Sequence, residues 1–159
     1  MKKVFLFILL FYSLNGFSQS FTLNELIKLT KSNDNNFDTY VLQRGFQFED
    51  VENHDGFISK SYSLSINGAK RYYITKHIPK DNSFKWVSYQ TPNSRDYLKM
   101  KEDLKRNGFL NTKSDTYNSS NLFEFVKDNC KITIMSGKED SKEGYESRSI
   151  YGYNIKVYK

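Results

Sequence analysis

Cysteine is almost missing from this chain. Cys130 is the only one among 159 residues, so no disulfide can form within it. Stability must come from a buried core, and Cys130, beside Lys131 and Ile132 in a strand pattern, reads as a small buried hydrophobe. Histidine is nearly as scarce. His54, His77 and Cys130 are too few and too scattered to make a zinc site. The eight glycines form no phosphate-cradling loop, and no Gly-x-Ser-x-Gly elbow presents a nucleophile. Glu49, Asp50, Glu52 and Asp55 lack the alternation and terminal Glu of a calcium loop, and read as a solvated rim before the first strand. No metal and no cofactor is expected.

Long apolar runs are also lacking, with one exception at the start. Met1-Lys2-Lys3 precedes Val4 to Tyr12, and Gly16 and Ser18 are the small residues a signal peptidase inspects. Residues 1–18 therefore read as a cleavable signal peptide cut between Ser18 and Gln19. The run is too short to span a bilayer. Secreted or periplasmic localisation follows, with no transmembrane anchor after cleavage. Residues 19–159 are then one α+β domain. Removing Lys2 and Lys3 lowers the net charge from +6 to +4 (22 Lys+Arg against 18 Asp+Glu). That is ordinary solubility charge, and no RNP-type signature accompanies it, so nucleic acid is not expected as a partner.

What the chain has in quantity is aromatic residues: 13 Phe, 12 Tyr and one Trp. Helical signals come first. Thr22-x-x-Glu25 has the form of a capping box, followed by Leu23, Leu26, Ile27 and Thr30. A second short helix carries Phe37, Tyr40, Val41 and Arg44 on one face and ends at Gly45-Phe46. Alternation then predicts strands through Ile58–Ile66, Tyr72–Ile78 and Phe84–Tyr89, with Asn67-Gly68 as a hairpin turn. A helix with Tyr97, Met100 and Leu104 follows, closed by Gly108-Phe109, then strands Leu122–Lys127, Cys130–Ser136 and Ser147–Tyr158. The expected fold is helices packed on one face of an antiparallel sheet. Its order is that of a tandem helix-plus-three-strand repeat, with halves at 19–91 and 92–159.

The signal ending Phe17-Ser18-Gln19, the segment Phe37–Phe46, and Tyr97-Leu98-Lys99-Met100-Lys101 with Gly108-Phe109 resemble small uncharacterised secreted proteins of Bacteroidota. That resemblance implies a bacterial source and a compartment, and no activity. The element order is also loosely similar to β-lactamase-inhibitor-type tandem α-β modules, which present a sheet face to a partner.

Cations interleave with rings along Lys70-Arg71-Tyr72-Tyr73, Lys76-His77 and Lys85-Trp86, up to Tyr89. Tyr73, Thr75, His77, Trp86, Tyr89 and Arg71 are therefore the candidate binding residues of an aromatic-basic sheet face. The function expected from them is a non-enzymatic binding module for a protein or glycan of the cell envelope. The alternative is a small extracytoplasmic hydrolase assembled from dispersed residues such as His77, Glu124 and Asp128.

Overall fold

The computed structural model describes residues 20–66, 70–117, 120–139 and 148–159. The expected signal peptide and the Asn67-Gly68 turn lie outside the described residues. Among the described residues, three helices and eight antiparallel strands make an α+β fold. Helix α1 (Leu23–Lys31) starts where Thr22 and Glu25 close the capping box, each side chain accepting from the other's backbone N–H. Helix α2 (Asp34–Gln43) starts at Asn33, whose side chain accepts from the Asn36 N–H at 2.8 Å. Helix α3 spans Ser94–Arg106.

Helices α2 and α3 end alike. Gly45 (φ +84°) and Gly108 (φ +76°) take the left-handed conformation that glycine tolerates best. Each donates three residues back, to the Leu42 and Lys105 carbonyls. Phe46 and Phe109 then donate to Val41 and Leu104, completing two Schellman motifs sixty-three residues apart (45 to 108). Both phenylalanines are buried.

The strands are β1 (Gln47–Asn53), β2 (Phe57–Ile66), β3 (Lys70–Pro79), β4 (Phe84–Thr91), β5 (Leu110–Tyr117), β6 (Ser120–Lys127), β7 (Cys130–Glu139) and β8 (Arg148–Tyr158). They form one sheet in the order β1-β2-β3-β4-β8-β7-β6-β5. Each half is thus a four-strand meander, and the halves join where β4 pairs with β8. Sequence alternation shows only three strands per half, because β1 and β5 are the sheet's edges. All seven residues of β1 are exposed, so it carries no apolar-in, polar-out signature. The acids Glu49, Asp50 and Glu52 belong to β1 and not to a loop. Each edge strand has a bulge, at Phe48/Asp50 and at Asn111/Lys113, again sixty-three residues apart (48 to 111).

All three helices lie on the same side of the sheet. α1 and α3 pack over the central strands β4 and β8. α2 is pinned by its first turns. Asp34 pairs with the buried Lys76 ammonium at 2.8 Å, while Asp38 accepts from the Tyr62 hydroxyl at 2.7 Å. The core between the layers holds Leu26, Phe37, Val41, Ile74, Val87, Leu104, Ile132 and Ile134, all fully buried. Cys130 is buried there as expected. Tyr89 and Tyr153 face each other across β4 and β8 with ring centroids 5.7 Å apart, and Phe21 meets Tyr89 edge-on at 5.1 Å.

The Tyr153 hydroxyl has no hydrogen-bond partner among the described residues. An unmet buried hydroxyl costs free energy that a phenyl ring of the same shape does not. Tyr153→Phe is therefore expected to leave Tm unchanged or raise it by up to about 5 °C. A thermal melt checks this, and a fall in Tm would reveal a partner for that hydroxyl.

Candidate functional site

The face of the sheet opposite the helices has no described element covering it. Strand pairing makes its layout explicit. One row of directly opposed residues crosses all eight strands: Asp50, Ser61, Thr75, Ser88, Asn154, Thr133, Glu124, Lys113. The row is about 34 Å long at ordinary strand spacing. Its middle five residues are short and uncharged, and its charges sit toward the ends. The neighbouring row on one side runs Ser59, His77, Trp86, Lys156, Lys131. On the other side it runs Ser63, Tyr73, Gln90, Gly152, Met135. Short side chains between long ones make a trough. Where the two halves of the sheet meet, it deepens to a hollow of about 250 Å³ lined by Tyr73, Thr75, His77, Ser88, Met135 and Asn154.

The polar groups of this floor have assignable directions. The indole N–H of Trp86 can only donate, so the Asn154 atom 3.4 Å from it is Oδ1. The Ser88 hydroxyl also donates to that oxygen, at 2.6 Å. Having given its proton there, Ser88 Oγ accepts from His77 Nε2 at 2.9 Å. His77 Nδ1 is then unprotonated and accepts from the Ser59 hydroxyl at 3.0 Å. The chain Ser59, His77, Ser88, Asn154 thus runs one way across four strands and needs a neutral imidazole. Burial, with smaller contributions from His54 and the Lys156 ammonium, pushes the His77 pKa down to about 4.

Aromatic side chains gather along one wall of the trough. The His77 and Trp86 rings stack with centroids 3.8 Å apart. Phe57 packs against both, at 5.5 Å from His77 and 5.4 Å from Trp86. On the opposite side of the indole, Lys156 Nζ lies 4.4 Å from the ring centroid. His77 comes from β3 and Lys156 from β8, so Trp86 on β4 has a neighbour on each face.

Of the six residues singled out by sequence, Tyr73, Thr75, His77 and Trp86 share this face, and Arg71 stands exposed near its end. Tyr89 does not belong with them. Its side chain points to the helix side, 1% exposed between Phe21 and Tyr153, because it is one strand residue out of phase with Trp86 and Ser88. Sequence alone does not single out Ser59, Ser61, Ser88, Thr133, Met135, Gly152 and Asn154. The spacing Ser59-x-Ser61-x-Ser63-x-Ser65 on β2 was the available signal, but its meaning depends on which strands lie beside it.

The dispersed hydrolytic residues are not brought together. Glu124 on β6 is four strands from His77 on β3, about 19 Å. Its carboxylate is held by Lys131 at 2.6 Å, which lowers its pKa. Asp128 lies in the β6–β7 turn. His77 has two hydroxyls as partners where a triad would place a carboxylate. Among the described residues no three His, Cys, Asp or Glu side chains converge on a possible metal position.

A larger hollow, about 480 Å³, opens between the start of α2 and the ends of β3 and β4. Its cations are already engaged: Lys76 by Asp34 and the Ser32 carbonyl, Lys85 by the Lys31 carbonyl. The trough leaves more hydrogen-bonding capacity open.

No protein-family model, curated protein or solved structure matches the chain. Among the described residues, no helix is long and apolar enough to cross a membrane.

Proposed function

We propose that the protein is a secreted or periplasmic binding module that holds an envelope partner on the helix-free face of its sheet. The observation that carries this reading is the trough. It is a continuous row of short hydroxyl and amide side chains, flanked by Tyr73, His77, Trp86 and Met135 and left open across the join between halves. A sheet face needed only for solubility has no reason to align its uncharged hydrogen-bonding groups in one row and its rings beside them. The element order, with its likeness to tandem α-β inhibitor modules, points the same way by analogy. The hydrolase alternative has no carboxylate beside His77 to stand on.

The test is capture of envelope material by the immobilised chain, compared with a Thr75→Arg/Thr133→Arg variant and with a control, Leu98→Ala, on the exposed side of α3. The arginines fill the trough while leaving the core untouched. Capture should be lost in the double variant and kept in the control, with Tm values within a few degrees of one another. Equal capture by all three chains sinks the reading.

A further inference from the structure

The geometry points to a neutral glycan chain as the occupant of the trough, an assignment that rests on the open-face reading and adds a chemical class to it. The first argument is charge. Ser61, Thr75, Ser88, Asn154 and Thr133 carry none, while Asp50 and Lys113 stand at the row's ends and Glu124 is paired with Lys131. A charged ligand lying along the floor finds no counter-charge there. The nearest cation on the wall, Lys156, is seated over the Trp86 and Phe84 rings at 4.4 and 5.1 Å.

The second argument concerns the backbone. Strands β3, β4, β8 and β7 are each paired on both sides, so their N–H and C=O groups are spent on the sheet. A peptide cannot join these strands as an added strand, because that mode requires a free edge. Recognition on this floor must use side-chain hydroxyls and amides, repeated at the strand spacing of about 4.8 Å. Groups of that kind donate and accept by turns, as sugar hydroxyls do.

The third argument is unspent hydrogen-bonding capacity at the deepest point. Because Asn154 Oδ1 is fixed by Trp86 and Ser88, its NH₂ group points away from both, and it makes no hydrogen bond to the described residues. The Thr133 hydroxyl likewise has no partner among them, and Gln90 is exposed at the rim. Beside these donors the wall turns apolar. Gly152 has no side chain, Met135 stands opposite it, and the Tyr73 ring lines the hollow. A hexose, with polar edges and C–H faces, fits a floor of donors against a wall of that type. Trp86 supplies the edge of its ring and not a free face, since His77 and Lys156 flank it.

Trp86 is the only tryptophan, so its fluorescence reports directly on the trough. The probes are neutral hexaoses (cello-, xylo-, malto-, laminari- and manno-) and, as charged counterparts, galacturonate oligomers, added to the mature chain. At least one neutral series should give a saturable change that survives high salt, as an uncharged contact does. Gly152→Ala places a methyl in the hollow, 3.5 Å from Met135 Cε, an ordinary contact that the fold accommodates. Thr133→Val removes a hydroxyl at nearly constant shape. Each should weaken binding about five- to tenfold with Tm nearly unchanged.

Binding confined to the charged oligomers and screened by salt overturns the assignment, as does silence from every neutral series or unaltered binding by Gly152→Ala. If instead a protein is captured and Gly152→Ala abolishes that capture, the glycan falls while the open-face module stands. If trough variants capture envelope material as well as the parent chain does, both fall.

Discussion

Tyr89→Ala is expected to lower stability by about 3–5 kcal/mol, a Tm drop on the order of 10–20 °C for a chain of this length. The ring is buried against Phe21 and Tyr153 at the join of the two halves, so its removal leaves a void that the rings packed around it cannot close. Trp86→Ala, three residues earlier on the same strand, should cost under about 2 kcal/mol, because the indole is only half-buried and lies on the open side. Thermal or urea unfolding of the pair checks the assignment of faces directly. Equal losses would show that the open side is as tightly packed as the core, and the trough would lose its standing as a site.

Stability is also expected to fall as pH drops from about 6.5 to about 4, by roughly 2 kcal/mol in all. His77 titrates near 4 in the folded chain, against an ordinary value of 6.5. Between those values the unfolded chain takes up a proton that the folded one refuses, so acid favours unfolding, with a slope approaching about 1.4 kcal/mol per pH unit. Below about pH 4 both states hold the proton and this contribution levels off. The full shift corresponds to a larger figure, and solvent reaching a half-buried imidazole trims it. His77→Gln should flatten the profile across this window.

Such flattening should stop short of the strongly acid region, where Glu25 takes over. Burial works against its ionised form, but hydrogen bonds from Thr22 and Tyr40 and the Arg44 charge hold its pKa below the ordinary value. Its contribution is present at neutral pH and is lost as pH falls through that lowered value. Urea melts at stepped pH for the parent and the His77→Gln chain separate the two. An unchanged slope between pH 6.5 and 4 in the variant would show that the buried-imidazole account is wrong.

How much of this was legible beforehand differs by element. The capping box at Thr22, the glycine stops at Gly45 and Gly108, and the six strands with an apolar side were readable, because each writes its period or its cap into neighbouring residues. β1 and β5 were not. An edge strand with neither face buried has no reason to alternate, and Glu49-Asp50-Val51-Glu52 looks like a loop until Ser61 and Lys60 are found beside it. The site followed the same division. Tyr73, Thr75 and His77 share a strand phase visible in sequence, and together with Trp86 of the next strand they do line one face. Tyr89 matches them in chemistry, but its phase puts it on the other side. The floor of the trough is a row of residues from different strands, set by the order β3-β4-β8-β7, and local pattern holds no information about that order.

The two outer rims of the sheet are both charged: Glu49, Asp50 and Glu52 stand along one, and Lys113 with its ion-pair partner Asp115 along the other. Unpaired amides and carbonyls along each rim could still zip one molecule onto the next into a filament. A single supernumerary residue in each rim bends the line of donors and acceptors out of step, so a passing copy finds no register. The kink at each rim thus works against growth of the sheet past its eighth strand.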